Sequence, residues 1–144
     1  MRIGYTCGVF DLFHVGHLNL LEKCKKECDC LIVGVCSDEY VRVCKHKESV
    51  INENDRTKIL NALKCVDRAE IVSIDETLDK MLAWERFQFN VLFSGSDWKD
   101  TPRFLETEKQ FKDNGIELEI VFFDYTHGIS TTQIKKDLQQ KNNI

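Results

Sequence analysis

The sequence predicts an α/β protein: an open parallel five-stranded sheet with helices on both faces. Three observations carry this expectation. Short apolar runs alternate along the chain with stretches of helical spacing. One of those runs, Leu31-Ile32-Val33-Gly34-Val35, carries no polar side chain, as expected of a parallel strand covered on both sides. The chain's 144 residues, 42% apolar and 31% charged, suit one packed core, read as a single domain over residues 1–144 with a polar tail from about 139.

Taken in order, Ile3 to Cys7 reads as a buried strand, followed by a glycine-containing loop and a helix from about Val15 to Cys28. Leu31 to Val35 is the second strand, and a polar stretch from Lys45 to Asn54 interrupts the pattern. Helical spacing resumes over Asp55 to Leu63, with Ile59, Leu60 and Leu63 on one side. Ala69 to Ile74 is a short strand, Glu76 to Phe87 an amphipathic helix, and Val91-Leu92-Phe93 the fourth strand. Arg103 to Asn114 forms a helix ended by Gly115, Leu118 to Phe123 the last strand, and about Ser130 to Gln139 the closing helix. In sheets of this kind ligands bind at the carboxyl ends of the strands, where strand order reverses. The loops after strands one, two, four and five are therefore the places to look for chemistry.

Composition narrows the classes. With 20 Lys+Arg against 24 Asp+Glu the chain is acidic, which argues against a nucleic-acid binder needing a broad basic face. The longest apolar run, Cys30 to Cys36, is far below the ~18 residues of a membrane helix. Met1-Arg2 leads into Ile3 with no apolar leader, and seven cysteines without a secretory signal read as free thiols, so the expected location is the cytoplasm. Cys24, Cys28 and Cys30 lack the second ligand pair a structural zinc site needs, and are read as free thiols.

The first loop, Gly8-Val9-Phe10-Asp11-Leu12-Phe13-His14-Val15-Gly16-His17, opens a helix with two histidines three apart, hence on one face. A helix start offers unpaired N–H groups suited to phosphate, and the imidazoles add donors adjustable near neutral pH. Two ordinary cap histidines, or a metal set of Asp11, His14 and His17, are the alternative readings. Near the other end, Tyr125-Thr126-His127-Gly128-Ile129-Ser130-Thr131-Thr132 is a second strand-to-helix junction, with a glycine and then hydroxyls. Between them lie Lys45-His46-Lys47, read as a polar loop, then Asp55-Arg56, Lys80, and the turn Gly95-Ser96-Asp97-Trp98.

Together these segments resemble the nucleotidyltransferase superfamily with its His-x-Gly-His motif. Within it they are similar to the cytidylyltransferase family, and there to the bacterial glycerol-3-phosphate cytidylyltransferases. The resemblance covers essentially the whole chain, with the motifs in order. It departs from the family at Val9 for Thr, Ser96 for Asp, Tyr125 for Arg and His127 for Glu. The loss of an arginine removes a fixed fork of donors for the nucleotide.

The resemblance implies a Rossmann-like fold and transfer of CMP from CTP to a small phosphorylated alcohol, glycerol 3-phosphate first, giving a CDP-alcohol and pyrophosphate. It implies His14, His17, Lys47 and Arg56 as catalytic residues, Arg56 either binding phosphate or bracing its loop. Nucleotide contacts are implied for Gly8, Val9, Phe10, Asp11, His14, Val15, Gly16, His17, Lys47, Gly95, Asp97, Trp98 and the segment from Tyr125 to Thr132. Lys80 is implied for the acceptor phosphate, and Lys45 for the acceptor phosphate or the α-phosphate. Mg²⁺ is expected with CTP and without protein side-chain ligands, and a homodimer is expected by resemblance alone. Phosphocholine, phosphoethanolamine and ribitol phosphate stay open as acceptors, as do ATP in place of CTP and a non-catalytic nucleotide-binding module.

Overall fold

The computed structural model describes residues 1–124 and 129–142. Its five parallel strands are β1 (Ile3–Gly8), β2 (Cys30–Cys36), β3 (Arg68–Val72), β4 (Val91–Gly95) and β5 (Glu119–Phe123). Their spatial order is β3-β2-β1-β4-β5, so the order reverses between β1 and β4. This is a Rossmann-like open sheet, and the reversal places its ligand crevice beyond the carboxyl ends of those two strands.

Neighbouring residues on one strand enter different cores. Leu31, Val33 and Val35 of β2, with Val91 and Phe93 of β4, join a cluster with Leu21, Cys24 and Leu60. Ile32 and Leu92 point the other way, into a cluster with Tyr5, Ala83, Phe87, Phe104 and Phe111. Each central strand therefore needs apolar residues at both parities, which is why β2 reads as an unbroken run rather than an alternation. Helices α1 (Val15–Lys26) and α3 (Glu53–Asn61) supply the first cluster, and α5 (Lys80–Phe87) and α6 (Pro102–Asp113) the second.

Two helices differ from expectation. Asp38–Lys45 forms α2, capped by Ser37, whose side chain accepts from the Tyr40 N–H, with Tyr40 and Val41 buried. Lys45 therefore closes a helix instead of starting a loop, and His46 follows in the left-handed conformation at φ 56°. The stretch expected as one helix from Glu76 to Phe87 is two, α4 (Ile74–Leu78) and α5, broken at Asp79. The Asp79 carboxylate accepts from the Met81 N–H, and its extended backbone (φ −115°, ψ 104°) ends one helix as it caps the next. That break sets Lys80 at the first position of α5, facing back toward α4. Helix α7 (Thr131–Asn142) closes the chain.

The carboxyl ends of the strands are held by a buried ion. Arg56, on α3, is only 1% exposed. Its guanidinium donates to the carbonyls of Ile51, Val9 and Cys36, each at 2.8 Å, and to the Asp38 carboxylate at 2.6 Å. Of the two roles expected for Arg56, the geometry is that of a brace; a phosphate contact is disfavoured because four of its five N–H groups are spent within the chain. Replacing it leaves three carbonyls and a carboxylate without their donor. Arg56→Met is expected to lower the unfolding free energy by about 3 kcal/mol in urea titration. A loss under about 1 kcal/mol would show that the brace is dispensable.

Candidate active site

The loop after β1 is strained where it turns toward α1. Phe10 and Leu12 both have positive φ, 55° and 49°, a region non-glycine residues rarely occupy. Asp11 between them is 6% exposed, and its carboxylate accepts from the N–H groups of Leu12 (3.0 Å), Val50 (2.8 Å) and Ile51 (2.9 Å). Those bonds clasp the loop carrying Lys47 against the loop carrying the histidines. They also remove Asp11 from the metal set considered with His14 and His17. Among the described residues no group of three or more His, Cys, Asp or Glu side chains is placed to hold a metal ion.

The two histidines form the start of α1 itself. His14 is the N-cap and its Nδ1 accepts from the Gly16 N–H at 3.0 Å; His17 Nδ1 accepts from the His14 N–H at 3.2 Å. This is a reciprocal capping box built from imidazoles. The rings stack with centroids 3.8 Å apart, and Phe13 stacks on the far side of His17. Since each Nδ1 is an acceptor, each neutral ring carries its proton on Nε2, turning both into donors of fixed tautomer. Gly16 is required here because a Cβ would meet the His14 ring 2.8 Å away and Ile129 at 3.3 Å.

Burial pushes the His17 pKa down to about 4, with His14 adding to the shift and Asp11 opposing it. Burial also lowers that of His14. Both are neutral donors at physiological pH.

Three adjoining hollows follow the carboxyl edge of the sheet. A central one of about 320 Å³ is bordered by Gly8, Val9, Phe10, Asp11, His17, Lys45, Lys47, Gly95, Trp98 and Thr131. It shares Cys7, Gly8, Val9, Lys45, Ser94 and Trp98 with a second of about 220 Å³, which adds Cys36, Tyr40, Thr77, Lys80 and Arg103. It shares His17, Leu20 and Thr131 with a third of about 140 Å³, beside His14, Gly16, Ile129 and Ser130. A larger hollow of about 870 Å³ lies at the opposite edge, around Asn90 and Gly115, and includes none of His14, His17, Lys45, Lys47 and Lys80.

The structure thus brings most of the expected residues to one trough. Val15 is 54% exposed, on the outer side of the cap. Asp97 lies in the short 3₁₀ turn Ser96–Trp98 but borders none of the three hollows. At the end motif, Ser130 Oγ accepts from the Gln133 N–H and Thr131 Oγ1 donates to the Asp11 carbonyl, joining the two motif segments. Thr132 is exposed on α7. Tyr125, Thr126, His127 and Gly128 lie outside the described residues.

Sequence reasoning missed Thr77, Arg103 and the thiol pair Cys7 and Cys36, whose sulfurs sit 3.6 Å apart at the floor of the second hollow. Cys7 ionises first: the hydrogen bond from Cys36 brings its pKa down to about 6 against the opposing effect of burial, and Lys80 assists. The opposite partner, Cys36, is held well up by the same bond and by burial. A pattern cue existed only for the cysteines, as the last residues of two apolar runs.

An open α/β sheet whose crevice carries a histidine-capped helix start and converging lysines belongs to the class of α/β proteins built to take a phosphate-bearing ligand at the switch point. The comparisons name the family. Residues 5–137 match the family described as cytidylyltransferase-like. The chain is 36% identical over 138 residues to the glycerol-3-phosphate cytidylyltransferase of Bacillus spizizenii, covering 96% of this chain and 98% of that one. It is 31% identical over 142 residues to the enzyme of the same name from Staphylococcus aureus, covering 99% and 98%. Among solved structures, the lipopolysaccharide core biosynthesis protein of Thermoplasma volcanium superposes with a TM-score of 0.76 at 29% identity, over 88% of this chain and 98% of that one. The protein belongs to the cytidylyltransferase-like family and is a nucleotidyltransferase enzyme. No helix among the described residues is long and apolar enough to cross a membrane.

The cap geometry has a spectroscopic signature. At pH 7 both imidazoles are expected as the Nε2–H tautomer in long-range ¹H–¹⁵N spectra, with His17 taking up a proton only near pH 4. Its folded pKa lies below the unfolded value of about 6.5, so the stability it contributes is present above that pH and lost as pH falls toward 4. Protonation of His17 near 6.5, or an Nδ1–H tautomer, would contradict the cap.

Proposed function

We propose that the enzyme transfers CMP from CTP to a small phosphorylated alcohol, with glycerol 3-phosphate as the favoured acceptor, releasing pyrophosphate. The observation that carries this reading is the joined trough. It sets the neutral His14–His17 donor pair, Lys47, and the Lys45–Lys80 hollow side by side at the switch point of the sheet. The relatives named as glycerol-3-phosphate cytidylyltransferases support the choice of CTP and of that acceptor.

In this reading the base and ribose lie toward Gly95, Trp98 and the end motif, and the triphosphate lies across Gly8, Val9 and Phe10 to the start of α1. His14 and His17 donate from Nε2 to phosphate oxygens, and Lys47 adds a charge. The acceptor's phosphate oxygen, held near Lys45 and Lys80, attacks the α-phosphorus in line. The bond to the pyrophosphate oxygen breaks as the new one forms. No side chain needs to become covalently attached; alignment and charge stabilisation supply the rate. Neutral imidazoles suit the donor role because they enter it without first losing or gaining a proton.

Mg²⁺ would arrive on the triphosphate, where it neutralises part of the phosphate charge. Of the two carboxylates beside the histidines, Asp11 is committed to three N–H groups and Asp124 borders the third hollow alone. With no group of three potential ligands among the described residues, we assign the ion no side-chain ligand set among them. Arg56 acts through position, by fixing the Val9 carbonyl and the loop before α3.

The test is pyrophosphate release with Mg²⁺, crossing CTP and ATP against glycerol 3-phosphate, ribitol phosphate, phosphocholine and phosphoethanolamine. Release with CTP and a polyol phosphate is expected. His14→Ala and His17→Ala should each lower kcat by ~10²–10³-fold, the usual cost of one transition-state donor. Release with ATP alone would replace the cytidylyl assignment by an adenylyl one. CTP binding without release under any pairing would mean a module that only binds nucleotide.

A further inference from the structure

The second hollow contains two cations tied to one oxygen. Lys80 Nζ donates to the Thr77 carbonyl at 2.7 Å, and Arg103 Nη2 donates to the same carbonyl at 3.0 Å. Lys45 reaches this hollow from the last residue of α2. Among the described residues none of the three is in an ion pair. Nearby acids are engaged elsewhere, Glu76 with Arg86 and Asp38 with Arg56. No carboxylate is among the described residues that line the hollow; its other polar groups include the hydroxyls of Tyr40, Thr77 and Ser94. Three cations converge on this recess, and among its described lining residues the one group that offers a negative charge against them is the Cys7 thiol at its floor. A doubly charged anion entering between the cations therefore relieves their mutual repulsion.

Arg103 does something more. Its guanidinium carbon lies 5.4 Å from the centroid of the Trp98 ring, covering the most exposed aromatic side chain of the hollow. Tyr40 and Phe104 are 9% and 7% exposed and offer little ring surface. A quaternary or primary ammonium group is held in proteins chiefly by open aromatic faces and by carboxylates. This hollow lacks the carboxylates and has its tryptophan already occupied by a cation.

On the transferase reading above, we infer that Arg103 is a third acceptor-binding residue, and that its seat on Trp98 restricts the acceptor to polyol monophosphates, rejecting those that carry an ammonium group. The acceptor phosphate sits between Arg103, Lys80 and Lys45, while its hydroxyls meet Tyr40, Thr77 and Ser94. A zwitterionic acceptor would place its cation among three others. Glycerol 3-phosphate and ribitol 5-phosphate share the required chemistry, and the 220 Å³ of the hollow favours the smaller.

The test compares wild type with Arg103→Gln and Arg103→Lys, using glycerol 3-phosphate, ribitol 5-phosphate and phosphocholine in both steady-state assays and calorimetric binding. Arg103→Gln should raise KM and Kd for glycerol 3-phosphate about tenfold, as for loss of one charge-assisted hydrogen bond, with KM for CTP within about twofold. The preference over phosphocholine should narrow by a similar factor. Arg103→Lys should recover part of the phosphate affinity through its charge but less of the discrimination, since an ammonium cannot stack as a guanidinium does. Unchanged affinity and unchanged preference in Arg103→Gln would overturn the inference, as would a wild type that prefers phosphocholine. A wild type inert with every pairing, yet binding glycerol 3-phosphate through Arg103, would support the receptor and overturn the transferase reading alone.

Discussion

A single buried cation organises the functional edge of this protein. Arg56 joins the end of β1 at Val9, the end of β2 at Cys36, the start of α2 at Asp38, and the loop before α3 at Ile51. A guanidinium removed from water is tolerated only when its donors are satisfied, so each of those segments is held where a donor points. Asp11 acts from the other side with the opposite charge. The Ile51 peptide shows the two working together: its N–H goes to Asp11 and its carbonyl accepts from Arg56. The loop bearing Lys47 is thereby registered against the loop bearing the histidines, although the sequence separates Asp11 from Ile51 by forty positions.

That framework explains how a loop with unfavourable backbone can persist. Phe10 and Leu12 sit at positive φ on either side of the Asp11 clasp. The strain is stored at the point where the backbone approaches the crevice, a common place for it in enzymes. The helix that follows is capped by residues that also face the crevice. A serine or aspartate would cap α1 equally well, but it would leave no ring nitrogen over for a substrate. The histidines satisfy the helix start with Nδ1 and leave Nε2 as the remaining donor; on the function proposed above, one local structure serves both stability and chemistry.

Much of this was legible in the sequence, and the rest had physical reasons for being hidden. The order of strands and helices could be read because buried parallel strands are continuous apolar runs, and Leu31 to Val35 is one. The break at Asp79 was masked by good helical spacing on both sides of it; the carboxylate's preference for capping Met81 outweighed the pattern. Helix α2 is amphipathic but spans only eight residues and buries only Tyr40 and Val41, which is short for a periodic pattern to be read from sequence. The site residues came chiefly from motif resemblance. The residues that the motifs do not contain, Thr77 and Arg103, act through contacts between α4, α5 and α6 that no local spacing encodes. Arg56 was found, but its burial depends on segments far apart in the chain.

The central claim is that the trough positions two phosphates for direct displacement, with no side chain bonded to the nucleotide at any stage. Cys7 and the two histidines are the nucleophiles that would otherwise compete for that role, and all three border the trough. The configuration at phosphorus separates the two courses. With one diastereomer of CTP bearing sulfur on the α-phosphorus, and glycerol 3-phosphate as acceptor, a single in-line step predicts a product of inverted configuration. Retention would require two displacements through a covalent enzyme intermediate, and would contradict the account.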